Sequence, residues 1–217
     1  MKTDDSGVSE GFGRTPHFLL IFLLVLLVSQ PIAEVAGGLL VRLSLGAVFL
    51  ASIAVASSRR TTLVIGLLLG IPALALLFVP GRVPVAIGGI LGIATLSFIC
   101  YVLLSGVFRH PVVTPATISA SLVVYLMMGV IWGQAYRLAE HFSPGSFHGL
   151  STDGLIEVQR DLFYYSFVTL TTLGYGDIYP VGAEARSLAI TEAIVGQLYL
   201  VVLVAGVVGI HLSQRNT

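Results

Sequence analysis

The sequence predicts an all-α membrane protein with six transmembrane helices and a re-entrant loop between the fifth and sixth. Three observations predict it. Only 10% of the 217 residues are charged and mean hydropathy is +0.96, which no ordinary soluble domain shows. Apolar runs near twenty residues recur along the chain, long enough at about 1.5 Å per residue to cross roughly 30 Å of hydrocarbon. Between the last two runs lies a polar, glycine-bearing stretch, Thr169 to Pro180, that cannot itself be a spanning helix. Non-helical backbone survives in a bilayer only where protein buries it or where it lines a watery path.

Residues 1–16 are polar and read as a cytoplasmic tail. The first apolar run is His17 to Ala33; a cleaved leader is the competing reading, opposed by three acids in the preceding region. Four further runs follow, at 38–56, 61–79, 83–104 and 118–136. Residues 17–108 thus form a peripheral four-helix bundle, and 109–117 a linker whose prolines, Pro111 and Pro115, forbid one continuous helix. Residues 118–212 form the second unit: an outer helix, a short helix from about Asp161 to Thr171, the polar stretch and a last span at 187–211. Residues 213–217 are a short tail, so no cytoplasmic gating domain is expected in this chain, and a separately encoded regulator stays open as a partner.

With both termini inside, Lys2, Arg14, Arg59, Arg60, Arg109 and Arg215 are cytoplasmic, a weak positive-inside bias. The acids Glu34, Glu140, Asp153, Glu157, Asp161, Asp177 and Glu184 then fall outside. They would raise local cation concentration there, although a solvated loop face is the plainer reading for most of them. The fourth run holds no arginine or lysine, so conventional voltage sensing is not expected. Glycines at helix-packing spacing, Gly66/Gly70, Gly88/Gly92 and Gly129/Gly133, point to a tightly packed bundle.

Net charge is zero, so nothing recruits nucleic acid. Cys100 is the only cysteine, which excludes an intrachain disulfide, and the five histidines are scattered rather than clustered for a metal. No catalytic constellation appears, and an enzyme is not expected.

In Thr172-Leu173-Gly174-Tyr175-Gly176-Asp177 glycine alternates with other residues. In a strand successive carbonyls point to opposite sides. Glycine takes positive φ at little cost, so alternating hands could turn the carbonyls of Thr172, Leu173, Gly174 and Tyr175 to one side, with the Thr172 hydroxyl below them. Rings of such oxygens replace a cation's hydration shell, the device of potassium channels. The stretch resembles the potassium-channel family, whose filter reads T-V/I-G-Y-G-D; leucine here replaces valine or isoleucine. The resemblance runs without a gap from about Tyr164 to Gly196, and more loosely from Ile118 to His211.

That resemblance implies a homotetrameric, membrane-embedded pore passing K+ passively, with the permeant ion as the only bound species and no other cofactor. It implies K+ sites at Thr172, Leu173, Gly174 and Tyr175, continued by Gly176. It places Tyr164 and Tyr165 in an aromatic cuff, with Tyr164 donating to Asp177 at the outer mouth. Gly196 matches the inner-helix hinge, and Gln197 a position facing the cavity. A prokaryotic inner or plasma membrane is the expected location. A weakly selective cation pore and a non-conducting regulatory subunit are the alternatives.

Glu192 stands apart from the resemblance. An acid inside an apolar span faces a cavity or a partner rather than lipid. Either it attracts cations or senses protons at a gate, or it is a buried acid bonded to hydroxyls such as Ser166 or Thr169.

Overall fold

The structure is a computed structural model and describes residues 17–25, 46, 60–76, 78–79, 81–109, 114–152 and 154–215. The expected tail at 1–16, the centre of the linker at 110–113, and all but residue 46 of the expected second span lie outside them. Six helices are described: α1 (17–25), α2 (Arg60–Leu76), α3 (Arg82–Arg109), α4 (Pro115–Phe142), α5 (Leu155–Leu170) and α6 (Ala183–Arg215). Three contain stretches long and apolar enough to cross a membrane: Arg82–Val107, Pro115–Phe142 and Ala183–Leu203; α2 is a shorter apolar helix. A strand pair too small to register in the sequence completes the fold, β1 (Phe147–His148) and β2 (Tyr179–Pro180).

Helix boundaries follow local chemistry. The outer helix, expected from residue 118, begins at Pro115. Proline's fixed φ and missing N–H suit a first helical position, and Thr114 caps the end by accepting from the Thr117 N–H at 3.2 Å. The short helix starts at Leu155, six residues ahead of the expected Asp161, after a Gly154 cap that makes no side-chain bond. At 16 residues α5 is about 24 Å long, short of a full crossing.

Helices α2, α3 and α4 pack in sequence order, and α4 also carries α5 and α6. Leu19 and Leu23 of α1 join Leu96, Ile99 and Leu103 of α3 and Val123, Val124, Met127 and Val130 of α4 in one aliphatic core. His17 Nδ1 and Ser119 Oγ, 2.7 Å apart, tie α1 to the start of α4. The small-residue spacing on α4 works as a groove for aromatic rings. A Cβ on Gly129 would lie 2.6 Å from the Phe167 ring of α5, and one on Gly133 would strike Phe163.

A second core lies under the loops that flank α5. It joins Tyr136, Phe147, Leu162, Tyr165, Ile178 and Ala185. The rings of Tyr136, Phe147 and Tyr165 meet edge to face in a triangle, with centroids 5.0 to 5.4 Å apart. Such contacts add about 0.5–1.5 kcal/mol each beyond burial. This triangle fixes α5 against α4 and the loop.

Candidate functional site: the loop between α5 and α6

The chain leaves α5 through a tight wrap. The Thr171 and Thr172 N–H groups donate to Phe167 O and Thr169 O, both at 3.0 Å, and Leu173 and Gly174 both donate to Val168 O, at 2.9 and 3.3 Å. From there the backbone alternates in hand: φ is +60° at Thr172, +59° at Gly174 and +76° at Gly176, with Leu173 and Tyr175 at ordinary φ between them. Reversing hand at every second residue keeps successive carbonyls on the same side instead of alternating them. Among the described residues no hydrogen bond ends on the carbonyl of Thr172, Leu173, Gly174 or Tyr175. Residues 171–177 are all exposed on the single chain.

Positive φ was expected at the glycines. Thr172 is the surprise, because its branched Cβ makes a left-handed conformation costly, of order 1–3 kcal/mol, and such outliers gather at functional sites.

The Asp177 end of the loop is braced twice. Tyr164 donates to Asp177 Oδ2 at 2.8 Å, as expected, and that hydrogen bond is the main reason the Asp177 carboxyl is held below the usual aspartate range. Behind it the β1–β2 pair sets Phe147 opposite Pro180 and His148 opposite Tyr179. Val181 and Gly182 also donate to Ser146 O, at 2.8 and 3.0 Å. Gly149, at φ +88°, lies so close to the Asp177 carbonyl that a Cβ there would overlap it. Nothing in the sequence marked Gly149.

The expected pair of cuff tyrosines divides. Tyr164 stands at the surface with Asp177, whereas Tyr165 is buried in the aromatic triangle of its own chain. Two of the acids expected outside hold backbone instead. Glu140 accepts from the Gly145 and Phe147 N–H groups at 2.6 and 3.2 Å, and Asp161 from Ser151 N–H at 2.8 Å.

On α6, Gln197 is exposed and Gly196 buried. The helix runs unbroken through Gly196, where a Cβ would stand 2.7 Å from Leu170 Cδ1 and 3.4 Å from Leu170 O. Leu170 O also accepts from Tyr125 of α4 at 3.1 Å, so the end of α5 is seated between α4 and α6.

Glu192 is wholly buried and bonds Ser166 Oγ at 2.6 Å and the Tyr136 hydroxyl. Of the two hydroxyls expected, Ser166 is the partner. Tyr136, two turns before the end of α4, carried no sequence signal.

The family profile described as "Ion channel" matches residues 159–212, which takes in most of α5, the alternating loop and most of α6. Over that stretch the chain is similar to ion channels. Curated relatives agree. It is 34% identical over 95 residues to the two pore potassium channel c of Oryza sativa subsp. japonica, covering 44% of this chain and 19% of that protein. It is 32% identical over 92 residues to the inward rectifier potassium channel Kirbac3.1 of Paramagnetospirillum magnetotacticum, covering 41% of this chain and 27% of the relative. Two-pore potassium channel 5 of Arabidopsis thaliana is 33% identical over 96 residues, 44% of this chain and 21% of its own length. The chain thus spans less than a third of the length of these relatives. No solved structure matches it at a significant level.

Proposed function

We propose that the chain is the pore-forming subunit of a potassium-selective channel, with Thr172, Leu173, Gly174, Tyr175 and Gly176 as the filter. The observation that carries this reading is the alternation of hand at Thr172, Gly174 and Gly176. Carbonyls turned to one side and free of internal partners are oxygen ligands awaiting a cation. In this reading α5 enters the bilayer part-way, the loop returns to the outer face, and the carboxyl end of α5 turns its partial negative charge toward the permeation path.

One loop supplies one quarter of a ring, so a closed cyclic homotetramer is required. The surface of α6 fits such an assembly: Ile190, Ile194, Val195, Leu198, Val201 and Val202 are all exposed on the single chain. Gln197, on the same exposed side, would keep an inner cavity wet. Gly196 would serve as the hinge of the inner helix, and Asp177 with Tyr164 as the brace of the outer mouth. Six spans in a plasma or bacterial inner membrane, both termini cytoplasmic, complete the reading, and conduction needs no cofactor beyond K+.

The test is ion flux from liposomes holding the purified protein, under K+ or Na+ gradients, for wild type and Gly174→Asp, with the oligomer mass measured in detergent. K+-selective flux from a tetramer, abolished by the substitution, is the expected result. Equal Na+ and K+ flux would remove selectivity, and a monomeric or dimeric mass would remove the ring.

A further inference from the structure

The three helices around the filter meet at one carboxyl group. Glu192 of α6 touches Ser166 of α5 through Oε1 at 2.6 Å and the Tyr136 hydroxyl of α4 through Oε2. Ser166 Oγ also lies 2.8 Å from the Gly129 carbonyl of α4. All four groups are buried, so water cannot make up a shortfall.

Counting protons decides the state of this cluster. There are three oxygen–oxygen contacts, and each needs one proton. The Gly129 carbonyl only accepts, while the hydroxyls of Ser166 and Tyr136 bring one proton each. With Glu192 ionised, two protons face three contacts, and Ser166 cannot fully satisfy both Gly129 O and Oε1. With Glu192 neutral the count closes: Oε1–H donates to Ser166 Oγ, Ser166 donates to Gly129 O, and Tyr136 donates to Oε2.

The surroundings agree. The titratable groups around the carboxyl are Tyr125 and Tyr136 on α4 and Tyr165 on α5. Among the described residues no lysine, arginine or histidine pairs with Glu192, and the nearest charged residue on α6, Arg186, is more than a turn away. A buried carboxylate without a cation is costly, and a carboxylic acid is not.

We infer that Glu192 is held as a neutral carboxylic acid and acts as a positioning residue, clamping α5 to α4 and α6, so that removal of its proton in alkaline solution frees α5 and disturbs the filter it carries. The clamp gives the pore a regulatory proton at a site remote from any ion ligand, and its effect on conduction rests on the pore reading above.

The experiment compares wild type, Glu192→Gln and Glu192→Ala in lipid. Glutamine supplies a donor and an acceptor at the same two positions, whereas alanine supplies neither. Infrared spectroscopy at neutral pH should show a carboxylic-acid carbonyl band in wild type that is missing in Glu192→Gln. Thermal stability of the assembly and K+ flux should both fall for wild type as pH rises. Glu192→Gln should keep its neutral-pH flux and stability across that range, and Glu192→Ala should lose both throughout. Absence of the band overturns the neutral acid. An alkaline loss in Glu192→Gln parallel to wild type overturns the clamp. If wild type carries no flux at any pH the pore reading fails, and the band and the stability profile still decide the clamp.

Discussion

The Tyr164 hydroxyl stands 2.8 Å from Asp177 Oδ2, linking the middle of α5 to the far end of the loop that follows it. The segment from Leu173 to Asp177 is therefore held at both ends by one helix: by Val168 O where it begins and by Tyr164 where it finishes. The bond favours the ionised carboxyl, so the folded Asp177 titrates below its ordinary value of 3.8. Its stabilising contribution is complete above that ordinary value and is lost as pH falls through the lower, folded one. K+ flux should survive mild acid and fail below that range. Tyr164→Phe lacks the bond at every pH, so its flux should be lower already at neutral pH and should lose the wild-type acid step; coincident acid titrations of flux for the two proteins would show that the bond does not brace this segment.

Gly149 and Gly145 offer a matched pair. Both have positive φ, +88° and +86°, but a Cβ meets the Asp177 carbonyl at the first and nothing within 4 Å at the second. Gly145→Ala should cost only left-handed strain, about 1–2 kcal/mol. Gly149→Ala adds a clash with backbone, of order 1–3 kcal/mol more, and should also reduce flux by displacing Asp177. Melting temperatures and flux for the two variants would separate the effects, and equal losses would contradict the contact.

At Gly196 two roles compete. A Cβ there presses on Leu170, so Gly196→Ala should destabilise the assembly by about 1–3 kcal/mol through overpacking. Adding Leu170→Ala should restore part of that loss. If flux returns with stability, close packing is what the glycine provides. If stability returns and flux does not, bending of α6 is the function.

Helix α3 carries no lysine or arginine between Arg82 and Arg109. Each elementary charge crossing the field gains only about 2.3 kcal/mol per 100 mV, so a helix without charges supplies no such energy. Open probability in planar bilayers should change little with voltage, and a steep dependence would place gating charge elsewhere in the assembly.

Much of this was legible in the sequence because it lives in short-range chemistry. The alternation of Gly174 and Gly176 announced the change of backbone hand, and an acid inside an apolar run announced a hydroxyl partner, with Ser166 one of two candidates. What escaped depends on contacts far apart in the chain or contradicts local preference. Tyr136 lies 56 residues from Glu192, and nothing in a tyrosine on an apolar helix marks such a partner. Gly149 is required by a backbone approach from Asp177, which only the fold creates. Thr172 at φ +60° opposes its own propensity and is held by the wrap at the end of α5. The early start of α5 was hidden because Gly154 offers no capping side chain, and Glu157 and Arg160 look like loop.

The two cores draw on different parts of the chain. The aliphatic one spans α1 to α5, but every buried member of the aromatic one, from Tyr136 to Ala185, comes from beyond Thr114. The aromatic core, which supports the Asp177 end of the loop, is therefore built without a buried residue from the helices placed before Thr114. Such a unit is portable: other leading helices could stand in front of it without disturbing that support.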